Sequence, residues 1–232
     1  MVKRTLKHHQ ERKNEILDAA QRLFTGQGYD ATPVSAILDA VGVAKGTFYH
    51  YFQSKEDLLD SLVARATELI VSQMRQAAER EDLDAVSKLN ACFSAAGRWK
   101  TENRDALLAI IKPVYSLANI VPRHKMNERT SESVVPLLAG IVRQGVREGV
   151  FRTDYPDEAA EIILGIGYAF QNSNVALVLT IEEHPENWEL LRRRFACMAN
   201  AVEGVLGASP GSLTLVDMPF LDALRPSDKE GA

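Results

Sequence analysis

The apolar residues of this 232-residue chain recur at steps of three and four almost from end to end, and that spacing restricts its fold more than any other feature. Between Glu11 and Gln27, Ile16, Leu17, Ala20, Leu23 and Phe24 make one stripe on a first helix, which Gly26 and Gly28 end. Thr32 and Pro33 open a second helix, the hydroxyl as a cap and the proline where no N–H is needed, with Val34, Ile37, Leu38 and Val41 facing inward. From Lys55 to Glu79, Leu58, Leu59, Leu62, Val63, Ala66, Leu69, Ile70 and Met74 keep the same spacing. Helical patterns continue over 83–98, 104–119, 126–148, 156–182 and 187–206, and no stretch alternates as a strand does. The expected fold is all-α.

The segment from Gly42 to Leu58 points to chemistry. Gly42 suits the positive-φ geometry of a sharp turn. A short third helix, Lys45 to Phe52, then buries Phe48 and Phe52 one turn apart, while Lys45, Gly46, Thr47, Tyr49 and His50 are left on its other side. Cation and hydroxyl at a helix N-terminus suit the base edges of a DNA major groove, and Gly46 removes bulk that would hold the backbone away. Tyr49 and His50 suit phosphate or sugar, and the Thr32 hydroxyl a further phosphate. Ser54 and Asp57 form a capping box for the fourth helix, which leaves Lys55 on a positive helix end as the best single phosphate contact. The expectation is a three-helix, helix-turn-helix DNA-binding domain.

These residues also resemble a known family. Thr32, Ile37, Gly42, Val43, Lys45, Gly46, Thr47, Tyr49, Tyr51, Phe52, Ser54, Lys55 and Leu58 match, in order, the N-terminal domain of the TetR family of bacterial transcriptional regulators. Ala44 departs from the pattern, because the family usually carries serine there; one helix cap and one DNA contact are missing. The resemblance implies a homodimer joined through its two C-terminal helices, a palindromic double-stranded DNA operator, and a repressor released by a small-molecule effector.

Net charge opposes a purely electrostatic reading, since 27 basic residues face 31 acidic ones, a formal charge of −4. The cations are unevenly placed. Lys3, Arg4, Lys7, Arg12 and Lys13 crowd the first 13 residues against Glu11 alone, a flexible arm suited to DNA backbone or minor groove, with Lys3, Arg4 and Lys7 as the contacts. Glycine-rich phosphate loops, metal-spaced histidines and nucleophile elbows do not occur, so no catalytic residue, metal or cofactor is expected. Neither a run of 18 uncharged apolar residues nor an N-terminal apolar signal core is present, so the expected location is cytoplasmic, with no membrane partner. Cys92 and Cys197 read as buried thiols.

The residues beyond the fourth helix suffice for a second core. Trp188, Leu191, Phe195, Met198, Val202 and Leu206 form a near-heptad seam, and Gly165, Ala169 and Ser173 recur every four residues on the helix before it. Two such helices from each subunit would form a four-helix dimer interface. Pro113 and Pro136 predict kinks or breaks in the middle helices, where Trp99, Tyr115, Tyr168, Phe170, Gln171 and Asn172 could meet a mostly apolar effector. The expected division is 1–54 for DNA binding, 55–206 for effector binding and dimerisation, and a mobile tail over 207–232, in which Leu213, Leu215, Val216, Phe220 and Leu221 could dock on the body. A DNA-binding dimer without an effector is the alternative.

Overall fold

The computed structural model describes the backbone of residues 2–215 and 218–225, and the side chains of residues 9–117, 119–215 and 219–225. Among these the chain is all-α, with no strand. The helices are α1 Val2–Gln27, α2 Val34–Val41, α3 Lys45–Tyr51, α4 Lys55–Ala78, α5 Ala85–Glu102, α6 Arg104–Val114, α7 Ile120–Glu148, α8 Pro156–Leu179, α9 Glu186–Leu206 and α10 Met218–Ala223. The basic N-terminal stretch continues α1 back to Val2 instead of forming a separate arm. The side chains of Lys3, Arg4 and Lys7 lie outside the described residues.

Two compact units emerge, and their boundaries are not the expected ones. The first comprises Met1–Thr67 with Asp105–Pro122, and the second Glu68–Arg104 with Arg123–Ala232. In the first, Ile16, Leu17, Phe24, Ile37, Phe48, Phe52, Leu58 and Leu59 make a buried core, against which Ile110 and Val114 of α6 pack. Arg65 of α4 braces α1 by donating to Asp18 at 2.6 Å and to the Gln21 side chain at 2.9 Å. Pro113 breaks the chain as expected: α6 stops one residue later, and the Asn119 amide donates to the Pro113 carbonyl at 2.9 Å. Pro136 does not break α7, which runs through it.

The second unit has a core of Leu89, Cys92, Val134, Leu138, Ile141, Val142, Phe151, Ile163, Val202 and Leu206. Asp84 caps α5 by accepting from the Ser87 N–H at 2.7 Å, while Glu148 at the end of α7 accepts from the Ala85 N–H at 2.8 Å. Gly145 lies against the Phe151 ring, which occupies the space a side chain would need.

Among the described residues after Gly207, the apolar side chains dock on the second unit, the alternative to a mobile tail. Leu213 and Leu215 enter the core, Leu221 and Leu224 are buried, and Glu203 accepts from the Leu213 N–H at 3.0 Å. Trp188 donates its indole N–H to the Leu221 carbonyl at 3.0 Å. Leu213, Leu215 and Leu221, named from the sequence as able to dock, are buried, and Leu224 joins them; they are too sparse to show a period, so spacing alone did not decide between docking and mobility. Val216 lies outside the described residues.

Candidate nucleic-acid interface

The turn between α2 and α3 carries out what its residues suggest. Gly42 adopts φ 71 and ψ 39, and its N–H donates to the Leu38 carbonyl at 2.8 Å, closing α2 with a left-handed cap. Ala44 precedes α3 in an extended conformation with no side-chain cap, as expected from its missing hydroxyl.

Burial then sorts the faces of α3. Phe48 and Phe52 are fully enclosed, and Tyr51 packs half-buried against the same core. Lys45, Gly46, Tyr49 and His50 are exposed, with Thr47 half-exposed beside them. A side chain at Gly46 would meet no protein atom within 4 Å, so no internal crowding accounts for glycine here. The Lys45 ammonium sits 5.8 Å from the centre of the Tyr49 ring one turn on.

The next helix opens with the expected box in a slightly shifted form. Ser54 accepts from the Asp57 N–H at 3.2 Å, while the Asp57 carboxylate reaches back to the N–H of Gln53 at 2.8 Å. Lys55 is half-exposed on the first turn. Its ammonium lies 4.2 Å from the centre of the Tyr29 ring. The Glu56 carboxyl is held below its ordinary range by its own backbone N–H and by Ser54, whereas burial, then Asp57 and Glu56, push Asp60 up.

Thr32 departs from its expected role. Its side chain is wholly buried and donates to the Gly28 carbonyl at 2.7 Å while accepting from the Gln27 amide at 3.1 Å. The N-cap of α2 is Pro33, with no side-chain cap. The Thr32 hydroxyl therefore braces the turn after α1 and is not presented to a phosphate. Ser35 is exposed on the first turn of α2.

The structure gives His9 of the basic N-terminal stretch neighbours that spacing could not reveal. His9, exposed on α1, packs at a tilt against Tyr51 at 4.6 Å between ring centres and meets His50 edge-on at 5.4 Å. Lys13, one turn further on, approaches Phe52 at 5.6 Å. The end of α3 thus shares its surface with α1, a proximity set only by tertiary packing.

The residues expected around an effector are drawn from both units. Tyr115 belongs to the first unit and the others to the second. In the second unit, Tyr168 is half-buried and donates to the Asn127 carbonyl at 3.1 Å, Phe170 packs on Phe195 with ring centres 4.5 Å apart, and Trp99 is half-buried. Gln171 and Asn172 are exposed. An open groove of about 520 Å3 lies on α1, lined by Asp18, Gln21, Arg22, Thr25 and Gly26, and includes none of these residues.

The seam on α9 also divides. Leu191 and Val202 are buried inside the chain, and Trp188 is half-buried with the Arg225 guanidinium 5.2 Å from its ring. Phe195 and Met198 are half-buried. On α8, Gly165, Ala169 and Ser173 are exposed, as are Ile162 and Leu179. By length and composition α8 is apolar enough to cross a membrane, and only 11% of its most apolar window is buried. Among the described residues no group of three or more histidine, cysteine, aspartate or glutamate side chains could hold a metal ion.

A short helix held by two buried aromatics, after a glycine-capped turn and before a freshly capped helix, defines a helix-turn-helix DNA-binding protein. The family model for bacterial regulatory proteins of the tetR family matches residues 16–62, and that for the tetracyclin repressor-like C-terminal domain matches residues 105–178. The chain is 30% identical over 159 residues to the HTH-type transcriptional repressor KstR2 of Rhodococcus jostii, covering 64% of this chain and 72% of that protein. It is 28% identical over 145 residues to the fatty acid metabolism regulator protein of Bacillus subtilis, covering 62% and 73%. A TetR transcription regulator from Haloarcula marismortui shares the fold, with a TM-score of 0.62 at 21% identity over 83% of this chain and 98% of that one. The chain belongs to the tetR family and is a DNA-binding transcriptional regulator.

Proposed function

We propose that the chain is a homodimeric repressor that reads a palindromic operator through α3 and is released by a small, mostly apolar effector. The observation that carries the DNA reading is the division of α3: Phe48 and Phe52 pin it to the core, and Lys45, Gly46, Thr47, Tyr49 and His50 occupy its outer side. Lys45 and Thr47 read base edges, and Tyr49, His50 and Lys55 hold the backbone.

Dimerisation is supported by α8. An apolar helix left this uncovered asks for a partner, and Ile162, Gly165, Ala169 and Ser173, with the half-buried Phe195 and Met198 of α9, offer small and apolar surface to a second copy. Two copies place reading helices about 34 Å apart, one turn of DNA. Effector release draws support from Tyr168, Phe170 and Trp99, which supply partly buried aromatic surface, and from the relative named for fatty acid metabolism. The residues of α4, which begins at Lys55, fall in both units. A coupling of about 1–3 kcal/mol changes operator affinity about 5–150-fold.

The test separates reading from positioning. Lys55→Ala weakens binding to all duplexes alike and lowers the salt slope by about one unit, whereas Lys45→Ala and Thr47→Ala also alter sequence preference. Equal effects from all three would refute the division.

A further inference from the structure

Lys55 has a flexible stem and sits on the surface, so its aim is set by whatever its ammonium rests on. Among the described cation–ring contacts, its 4.2 Å approach to Tyr29 is the shortest. The ring itself is well fixed. Tyr29 is 9% exposed and lies edge-on to Phe24 at 5.0 Å. It follows Gly28, whose φ of 85 turns the chain and whose N–H donates to the Phe24 carbonyl at 2.9 Å. The Tyr29 carbonyl accepts from the Thr32 N–H at 3.2 Å, and the buried Thr32 hydroxyl locks the Gly28 carbonyl from the other side. The turn from Gly28 to Thr32 is therefore a rigid mount for one aromatic face.

The chemistry of that face suits a cation. Burial, and next the Glu56 carboxylate, push the Tyr29 phenol well above its ordinary value, so the ring meets Lys55 as a neutral phenol through its negative π-face. We propose that Tyr29 is a positioning residue for DNA binding: its ring holds the Lys55 ammonium where a phosphate of the duplex arrives. This rests on the reading of Lys55 as a phosphate contact. It also gives the Thr32 hydroxyl a place in DNA binding one step removed, as the brace of the turn that carries Tyr29.

Ring electronics test this without changing shape. Tyr29→Phe keeps the face, whereas pentafluorophenylalanine at the same position keeps the size and reverses the quadrupole. With the full chain and an operator duplex, the phenylalanine variant should bind within twofold of the wild type. The fluorinated variant should lose about two- to fivefold, with its salt slope moved toward that of Lys55→Ala. In a Lys55→Ala background the same exchange should have no effect, because the cation is gone. Equal affinity for the two ring variants, or a loss that persists without Lys55, would overturn the positioning role while leaving Lys55 a phosphate contact. No change in affinity or slope from Lys55→Ala itself would remove the premise, and the inference with it. Thermal melting of each variant separates a failure of folding from either result.

Discussion

At Thr32 a hydroxyl that looks available in the sequence is used inside the protein. A threonine before a proline reads as a helix cap, and burial by the chain's own turn leaves no trace in spacing. Because its donor serves the Gly28 carbonyl in a fully buried site, Thr32→Val should cost about 1–3 kcal/mol of stability in chemical denaturation. Any change the folded variant makes in the salt slope for DNA should vanish in a Lys55→Ala background, and a drop of one unit that persists there would restore the direct phosphate contact. The cysteines part company in the same way. Cys92 is buried as expected and its thiol is pushed up to about 11 by burial, which disfavours the thiolate; Cys197 is exposed on α9. At pH 8 a thiol reagent should modify one cysteine per folded chain and the second only on unfolding, and two rapid modifications would contradict the buried site.

At the scale of elements, α2 and α3 were legible almost to the residue, because glycine, alanine and two aromatics mark the turn, the missing cap and the buried face in a short span. The missing cap has a measurable consequence. Ala44 already has the extended backbone an N-cap needs, so Ala44→Ser should stabilise the chain by about 1 kcal/mol in denaturation of the purified protein. No gain would mean that the α3 terminus is satisfied by other groups. Helices later in the chain were legible as periods but less so as partners. The α9 repeat of Leu191, Phe195, Met198 and Val202 looks uniform in sequence, yet Leu191 and Val202 face the chain's own core while Phe195 and Met198 are left half-exposed. Periodicity specifies a stripe and not what covers it.

Across the whole molecule, the two units reassign the middle of the chain. Residues 105–122 belong with the N-terminal helices, because Ile110 and Val114 complete that core, and the described residues after Gly207 belong with the second unit through Leu213 and Leu215 in its core and the Trp188 hydrogen bond to the Leu221 carbonyl. The first assignment was not legible, since it depends on contacts between segments far apart in sequence; the second was legible only as apolar residues able to dock. The His9–His50–Tyr51 cluster is another case of the same kind. What the chain reads is best measured by selecting bound duplexes from a random library with the purified full chain and with a Lys45→Ala, Thr47→Ala double variant. Enrichment of an inverted repeat, with half-sites about 34 Å apart and a preference lost or altered in the double variant, is the predicted result. Selection of no sequence at low salt, or of the same sequence by both proteins, would contradict a symmetric reader built on α3.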